Sequence, residues 1–238
     1  MSDLELFAES PYTYNGVHVP RVTEILGSML TEEYLMYWAQ KMGRIHKDID
    51  TMRDTAADKG SIVHEMCENF LRYRILPNFD AVPQIFRKQC RNAFDGFLMW
   101  INNLEANGHF WKPLMLEVPV VNELYGGTLD CLMQIDDKIY LLDFKTSNQL
   151  SWKYCLQVAA YRKSLRELHG IVVDGCCVLR FDKYSRTFPE EMMYDCHDRI
   201  MGDFMDQCEA LFVNIAQAYW QRAQVEREYK RLTGLKRA

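Results

Sequence analysis

The chain has 238 residues with a formal net charge of −5, and 48% of its residues are hydrophobic. This supply of apolar side chains is enough for one well-packed core, so we expect one compact domain overall. The charge excludes a uniformly basic nucleic-acid coat, and no run reaches the roughly 18 apolar residues of a membrane span, so we expect a cytoplasmic protein with no membrane partner.

The first 108 residues are predicted to form a helical N-terminal region. After a turn-rich opening (SPYTYNGVHVPR), apolar residues recur at helical spacing in three segments. Residues 22–43 predict one or two short helices, and residues 54–73 and 83–107 predict one helix each.

From residue 113, the spacing of the apolar residues changes from that of helices to that of strands. Residues 113–121, 127–135 and 139–144 are short apolar or alternating runs, and Asp136-Asp137-Lys138 is typical of the tight turn between two antiparallel strands. We predict three antiparallel strands in succession.

After the third strand, the chain is predicted to form a helix, two strands and a final helix. Residues 151–169 predict a helix that ends at Gly170, residues 171–181 and 187–194 a pair of strands, and residues 198–232 a long closing helix. A helix between strands implies a crossover, so the fold class is α/β (or α+β), with a mixed central sheet flanked by helices. We divide the domain into residues 1–108, a core sheet with its crossover helix over 109–195, and a C-terminal helix over 196–238.

The acid-x-Lys triplet at Asp143 and Lys145 differs from the other two triplets in the chain. The triplets at Asp136 and Glu228 lie in a turn and on a polar helix end, whereas Asp143 ends the apolar run Ile139-Tyr-Leu-Leu142. Residues i and i+2 of a strand share one face, so Asp143 and Lys145 should point together out of a buried strand. Such charges are costly to bury unless they form an ion pair or hold a metal, and the sequence leaves both alternatives open.

Asp130 is predicted to lie opposite Asp143. A hairpin turn centred between Asp136 and Asp137 pairs these two positions on adjacent strands. Two facing carboxylates repel each other, and a bound divalent cation would reverse that cost.

Three further residues have positions that suggest a site. Gln157 and Tyr161 are spaced i and i+4 on the helix that follows the strand, and therefore share a face. Upstream, Gly60 and His64 have the same spacing on a predicted helix, with Glu68 one turn further on, where it could orient the imidazole.

In this order and spacing, Gly127-x-x-Asp130, Asp143-x-Lys145-Thr146-Ser147 and Gln157-x-x-x-Tyr161 resemble the RecB-like branch of the PD-(D/E)XK nucleases, which includes many phage exonucleases and the mitochondrial genome maintenance exonuclease. Gly60-x-x-x-His64 resembles the helical motif of that branch. The resemblance covers roughly residues 17–165 and implies a restriction-endonuclease-like core. The acidic start and the absence of clustered cysteines favour a phage or bacterial member without an iron-sulfur cluster.

The resemblance implies hydrolysis of DNA phosphodiester bonds with Mg²⁺ or Mn²⁺. The implied metal ligands are His64, Asp130, Asp143 and the backbone carbonyl of Phe144, and Lys145 would position the attacking water or stabilise developing charge. Four residues are implied to contact DNA or to hold the catalytic loop: Thr146, Ser147, Gln157 and Tyr161.

The predicted function is an exonuclease acting on linear DNA in replication or recombination, with a protein of either process as a partner. The alternatives are a structure-specific endonuclease and a non-catalytic DNA-binding protein of the nuclease fold. Four tryptophans are candidates for stacking on single-stranded bases, with core packing expected for at least two: Trp38, Trp100, Trp111 and Trp152. The basic C-terminal end, residues 221–238, is either a nucleic-acid contact or a solvated helix end.

Overall fold

The computed structural model describes residues 6–30 and 49–234, with backbone alone for residues 49–58. The predicted helix over residues 22–43 is therefore described only in its first part, and Trp38 lies outside the described residues.

A five-stranded mixed sheet forms the centre of the molecule. Its strands, in spatial order, are β3 (Trp111–Val121), β4 (Gly126–Ile135), β5 (Lys138–Lys145), β6 (Gly175–Arg180) and β7 (Glu190–Asp195). The strands β5 and β6 pair in parallel and the other neighbours pair antiparallel. The parallel pair follows from the crossover helix between these two strands, because a helix returns the chain to the same end of the sheet.

Five helices pack around the sheet in the described ranges: α1 (Val22–Met29), α2 (Ile49–Tyr73), α3 (Gln84–Ala106), α4 (Lys153–His169) and α5 (Arg199–Thr233). The last helix begins at Asp198, whose carboxylate accepts hydrogen bonds from the N–H groups of Ile200 and Met201. Such a cap satisfies donors that the first turn of a helix leaves without partners.

Each face of the sheet buries its own hydrophobic cluster. Apolar residues of α1, α4 and α5 cover one face, and those of α2 and α3 cover the other. Strand β5 contributes to both clusters, because Leu141 belongs to the first and Leu142 and Phe144 belong to the second. The sheet is thus buried on both sides, which explains why its central strands are apolar at consecutive positions.

The predicted fold class, a mixed α/β domain with helices on both sides of a mixed sheet, is confirmed. The register expected for the hairpin is also confirmed, because the pairs from Cys131 and Leu142 to Ile135 and Lys138 are centred between Asp136 and Asp137. Among the helices of the described ranges, none combines the length and the apolar character that crossing a membrane requires.

Two local predictions differ from the structure. The opening segment contains a small hairpin, β1 (Thr13–Tyr14) and β2 (Val17–His18), and Asn15 and Gly16 between them both have positive φ. This is the backbone that a two-residue hairpin turn requires, whereas the sequence pattern predicts turns alone. Strand β6 begins four residues later than predicted, directly after Asp174, whose side chain accepts a hydrogen bond from the N–H of Ile139.

Candidate functional site

Three acidic residues lie side by side across the sheet. Asp130 and Asp143 continue the β4–β5 register beyond the pair of Cys131 and Leu142. Glu117 of β3 lies between residues paired with Cys131 and Leu129, and therefore opposite Asp130. Like charges at facing positions of neighbouring strands repel each other, so this row of carboxylates is costly to the fold unless something neutralises it.

Asp143 and Lys145 form an ion pair at the end of β5. The Nζ of Lys145 lies 2.5 Å from Oδ2 of Asp143, and Asp143 is only 1% exposed. The Lys145 ammonium also lies 5.1 Å from the centre of the Tyr154 ring in α4. The two side chains share a face, as the strand period predicts.

His64 approaches the row from helix α2. Its Nδ1 lies 3.2 Å from Oδ1 of Asp130, and its ring contacts the Phe144 ring edge to face. Gly60, one turn earlier, lies on the same face, and a Cβ at that position would lie 3.4 Å from Oγ1 of Thr146. The i, i+4 spacing of Gly60 and His64 thus places one face of α2 against the end of β5.

The second carboxylate oxygen of Asp130 contacts the backbone of β5. The N–H of Phe144 donates a hydrogen bond of 2.6 Å to Oδ2 of Asp130. The N–H and C=O of one strand residue point to the same side of the strand. We therefore expect the Phe144 carbonyl to face the same edge as Asp130, where the resemblance implies a backbone ligand.

Glu117 completes a group of possible metal ligands that the sequence analysis did not identify. Ligand atoms of His64, Glu117 and Asp130 all lie within 4.8 Å of one another. The backbone of Glu117 has a positive φ of 50°, an uncommon conformation for a residue that is not glycine. The sequence signal for Glu117 is a charged residue inside the apolar run PLMLEVPVV. This signal indicates a site only once β3 is known to pair with β4, which carries Asp130.

Burial and mutual repulsion raise the pKa values of the three carboxylates, and the neighbouring positive charges lower them. Burial raises the pKa of Asp143 to about 6, with a contribution from Asp130, although Lys145 opposes the shift. Burial also raises the pKa of Glu117 to about 7, again with a contribution from Asp130. Burial would raise the pKa of Asp130 as well, but the positive charges of His64 and Lys145 hold it below its usual value.

The two basic groups respond in the opposite sense. Burial disfavours the charged forms of His64 and Lys145, yet Asp130 raises the pKa of His64 and Asp143 raises that of Lys145. Lys145 is therefore a cation at neutral pH. The site combines a hard, oxygen-rich set of donors with one fixed ammonium group.

The loop after β5 is held by basic side chains. The ammonium of Lys183 donates a hydrogen bond of 3.0 Å to the carbonyl of Thr146, and Arg180 donates one of 3.2 Å to the carbonyl of Ser147. The hydroxyl of Ser147 donates to the carbonyl of Gln149. Thr146 and Ser147 thus lie beside the carboxylates, and their predicted DNA contact stays a prediction.

Gln157 and Tyr161 of α4 form a buried pair beside β4, the strand that carries Asp130. The Gln157 side chain donates a hydrogen bond of 3.2 Å to the Tyr161 hydroxyl, and the two residues are 6% and 3% exposed. The Tyr161 ring lies against Gly127, where a Cβ would come within 2.5 Å of it. As described, both side chains pack under β4, and their direct contact with DNA stays a prediction.

Glu68 and two of the tryptophans do not take the positions that their suggested roles require. Glu68 forms an ion pair with Arg72 at 2.6 Å, whereas the contact of the His64 Nδ1 is with Asp130. Trp100 and Trp111 are buried, so stacking on bases is not open to them in this structure, and Trp152 is 52% exposed just before α4.

A cleft of about 550 Å³ opens beside His64. Its lining includes three glutamates and is formed by Gly60, Ser61, His64, Glu65, Glu68 and Glu117. The residues present can hold a divalent cation, because carboxylates and one imidazole are ligands that such ions accept. Neutralisation by a cation would also remove the repulsion along the row.

No protein-family model and no curated protein matches the sequence. Among solved structures, the chain is similar to a candidate exonuclease from Eubacterium rectale, whose crystal structure has a resolution of 2.19 Å. The TM-score is 0.33 and the identity 13%, over 67% of this chain and 68% of the other. A likeness of this degree assigns neither a family nor a function to the chain.

Proposed function

We propose that this protein is a divalent-metal-dependent deoxyribonuclease that hydrolyses phosphodiester bonds, and that it acts as an exonuclease on linear DNA. The observation that supports this most strongly is the row of Glu117, Asp130 and Asp143, with His64 beside Asp130 and Lys145 beside Asp143. A structural ion pair would need one carboxylate for one ammonium. The additional buried acid groups have a physical reason to be present if they bind a cation.

The residues fit a divalent cation such as Mg²⁺ or Mn²⁺. Asp130 and Asp143 would hold it through carboxylate oxygens, with His64, Glu117 and the Phe144 carbonyl as further donors. One imidazole among hard oxygen ligands shifts the preference toward Mn²⁺. When bound, such an ion supplies positive charge at the scissile phosphate and lowers the pKa of an attacking water.

The chain itself contributes a fixed positive charge and an oriented base. Lys145, held by Asp143, would position the attacking water or stabilise the charge that develops on the phosphate. Asp130 orients the His64 ring through the contact with Nδ1, because a fixed partner at one ring nitrogen determines the direction in which the other points. The hydrogen bond from the N–H of Phe144 holds Asp130 in turn.

The choice of DNA and of exonuclease activity depends on the resemblance of the sequence motifs. Under this proposal, Thr146 and Ser147 contact the DNA backbone, and Gln157 and Tyr161 hold β4 in place beneath the site. The protein partner from replication or recombination belongs to the same proposal.

The decisive experiment compares linear and circular DNA. The purified chain is incubated with end-labelled linear single-stranded and double-stranded DNA, and with a closed single-stranded circle, in Mg²⁺, Mn²⁺ or EDTA. We expect digestion of linear DNA alone, lost in EDTA and lowered by about 10³-fold or more in Asp143→Asn, since a ligand and the partner of Lys145 change together.

Asp137→Asn is the matched control, because it removes the same charge at an exposed residue of the turn between β4 and β5. Cleavage of the circular DNA would show an endonuclease activity in place of the proposed exonuclease activity. DNA binding without any cleavage would replace the proposal by a non-catalytic DNA-binding protein, and full cleavage by Asp143→Asn would refute the assignment of the site.

A further inference from the structure

Two lysines flank the loop that follows the ion pair of Asp143 and Lys145. Lys183 lies in the connection between β6 and β7 and donates to the carbonyl of Thr146 at 3.0 Å. Lys59 directly precedes Gly60, whose Cα lies against the side chain of Thr146, and its ammonium donates to Oε1 of Gln89 at 2.8 Å. Both lysines are half-buried.

The partners of these two ammonium groups are neutral. Many arginines of the structure pair with carboxylates, including Arg180 with Glu190 and Arg186 with Asp95. Within the part of the chain whose side chains are described, Lys59 and Lys183 form no ion pair with an acid. The acid beside Lys183, Asp182, is engaged by the N–H of Tyr184 and the hydroxyl of Ser185.

The two lysines also influence each other. Burial lowers the pKa of Lys183, and the charges of Lys59 and Arg180 lower it further. Asp182 opposes this shift only in part, so repulsion between the cations remains unfavourable in the free protein. The arrangement becomes favourable when an anion binds between them.

The charge around the site is therefore divided. Glu65, Glu68 and Glu117 line the cleft beside His64, whereas Lys59 adjoins Gly60 at the edge of that cleft and Lys183 binds the 146–147 loop. A phosphate chain that crosses the site meets repulsion at the glutamates and attraction at the lysines.

We propose that Lys59 and Lys183 bind a backbone phosphate of the DNA strand next to the one that is cut, so that the strand enters or leaves the site over the 146–147 loop. The inference deepens the proposed function and depends on it for the identity of the ligand. Each lysine would contribute one phosphate contact, and the carbonyl of Thr146 would keep the Lys183 ammonium directed at the loop.

The test measures DNA binding as a function of salt. All variants are made in the full-length Asp143→Asn chain, which should not digest the probe, and a fluorescein-labelled single-stranded DNA is titrated in Mg²⁺ between about 50 and 200 mM NaCl. We expect Lys59→Gln and Lys183→Gln each to weaken binding about 5-fold or more. Each should also reduce the slope of log K against log[NaCl] by about 0.7, the value for one contact to a single strand.

Three controls separate charge from folding. Glutamine at position 183 keeps a hydrogen-bond donor for the carbonyl of Thr146, so a purely structural lysine would tolerate it. Lys183→Arg keeps the charge and should retain the slope, and Lys112→Gln removes the same charge at the exposed start of β3 and should change nothing. Thermal unfolding of each variant verifies that it is folded.

Unchanged slopes in folded Lys59→Gln and Lys183→Gln chains would overturn the inference even if the chain with Asp143 cleaves DNA. Absence of DNA binding in the Asp143→Asn background would overturn it as well. Reduced slopes without cleavage by the unaltered chain would uphold the lysine site and reject the nuclease.

Discussion

At the scale of single residues, the carboxylates of the site repel one another, and pairing with basic side chains offsets part of this repulsion. Asp143 is compensated by Lys145 and Asp130 by His64, but Glu117 has no cation of its own in the described part of the site. Glu117 also has the positive φ, and unfavourable backbone conformations of this kind occur often at functional positions. Its strained backbone and raised pKa have a common explanation if a cation binds beside it.

A first prediction concerns the pH dependence of stability without metal. The pKa values of Asp143 and Glu117, about 6 and about 7, exceed those of the unfolded chain, so the folded state holds these protons more tightly. Their contribution to stability is fully present below about pH 4 and is lost as the pH rises through 6 to 7.

In EDTA, the free energy of unfolding should therefore fall more between pH 5 and pH 8 in the parent than in Asp143→Asn/Glu117→Gln, by on the order of 1–2 kcal/mol. Urea unfolding at both pH values measures the difference. Parallel pH profiles for the two proteins would contradict the prediction.

A second prediction tests Glu117 as a metal ligand. Glu117→Gln keeps the size of the side chain but removes a charged donor, and we expect about 10-fold weaker binding of Mn²⁺ in calorimetric titration. Glu65→Gln is the matched control, because Glu65 lines the same cleft and carries the same charge. Equal affinities of these two variants would remove Glu117 from the ligand set.

At the scale of elements, close packing of helices against the sheet brings the site together. The face of α2 that carries Gly60 lies against Thr146 at the end of β5, and Gly127 lets the Tyr161 ring of α4 lie against β4. Both glycines are three or four residues from a proposed ligand, His64 or Asp130. Each of the two motifs therefore contains a proposed ligand and a glycine that contacts a neighbouring element. That contact places the helix or strand that carries the ligand.

A third prediction follows from the contact of Gly127 with Tyr161. Gly127→Ala places a methyl group 2.5 Å from the ring, so the ring or the strand must move, and we expect a loss of about 1–3 kcal/mol in the free energy of unfolding. Metal affinity should fall as well, because Asp130 lies on the same strand.

Gly27→Ala is the control, since nothing lies within 4 Å of a Cβ there and Gly27 lies in α1. Alanine in a helix should be neutral or should stabilise by up to about 1 kcal/mol. Chemical denaturation of both variants is the measurement, and a Gly127→Ala chain as stable as the parent would contradict the prediction.

At the scale of the whole molecule, the site lies where the layers meet. The sheet supplies the carboxylates, α2 supplies the imidazole from one layer, and α4 supports the strands from the other. Occupation of such a site should stabilise the folded state as a whole, because the unfolded chain does not assemble the ligands.

A fourth prediction measures that linkage. Mn²⁺ at about 100 times its dissociation constant should raise the free energy of unfolding by about 2.7 kcal/mol, and EDTA should reverse the effect. Asp130→Asn should abolish the gain, whereas Asp136→Asn, which changes an exposed turn residue, should keep it. Thermal unfolding with and without the ion is the measurement, and a gain that persists in Asp130→Asn would place the ion elsewhere.

The sequence alone determined the order of the elements, the crossover and the facing positions of Asp130 and Asp143, because these depend on local periodicity and on one short turn. Only the tertiary structure decided that Glu117 faces Asp130, that Gln157 and Tyr161 are buried, and that Gly60 lies against Thr146. These contacts join segments between 13 and more than 80 residues apart, and their geometry is set by the packing of helices on a sheet, which no local pattern encodes.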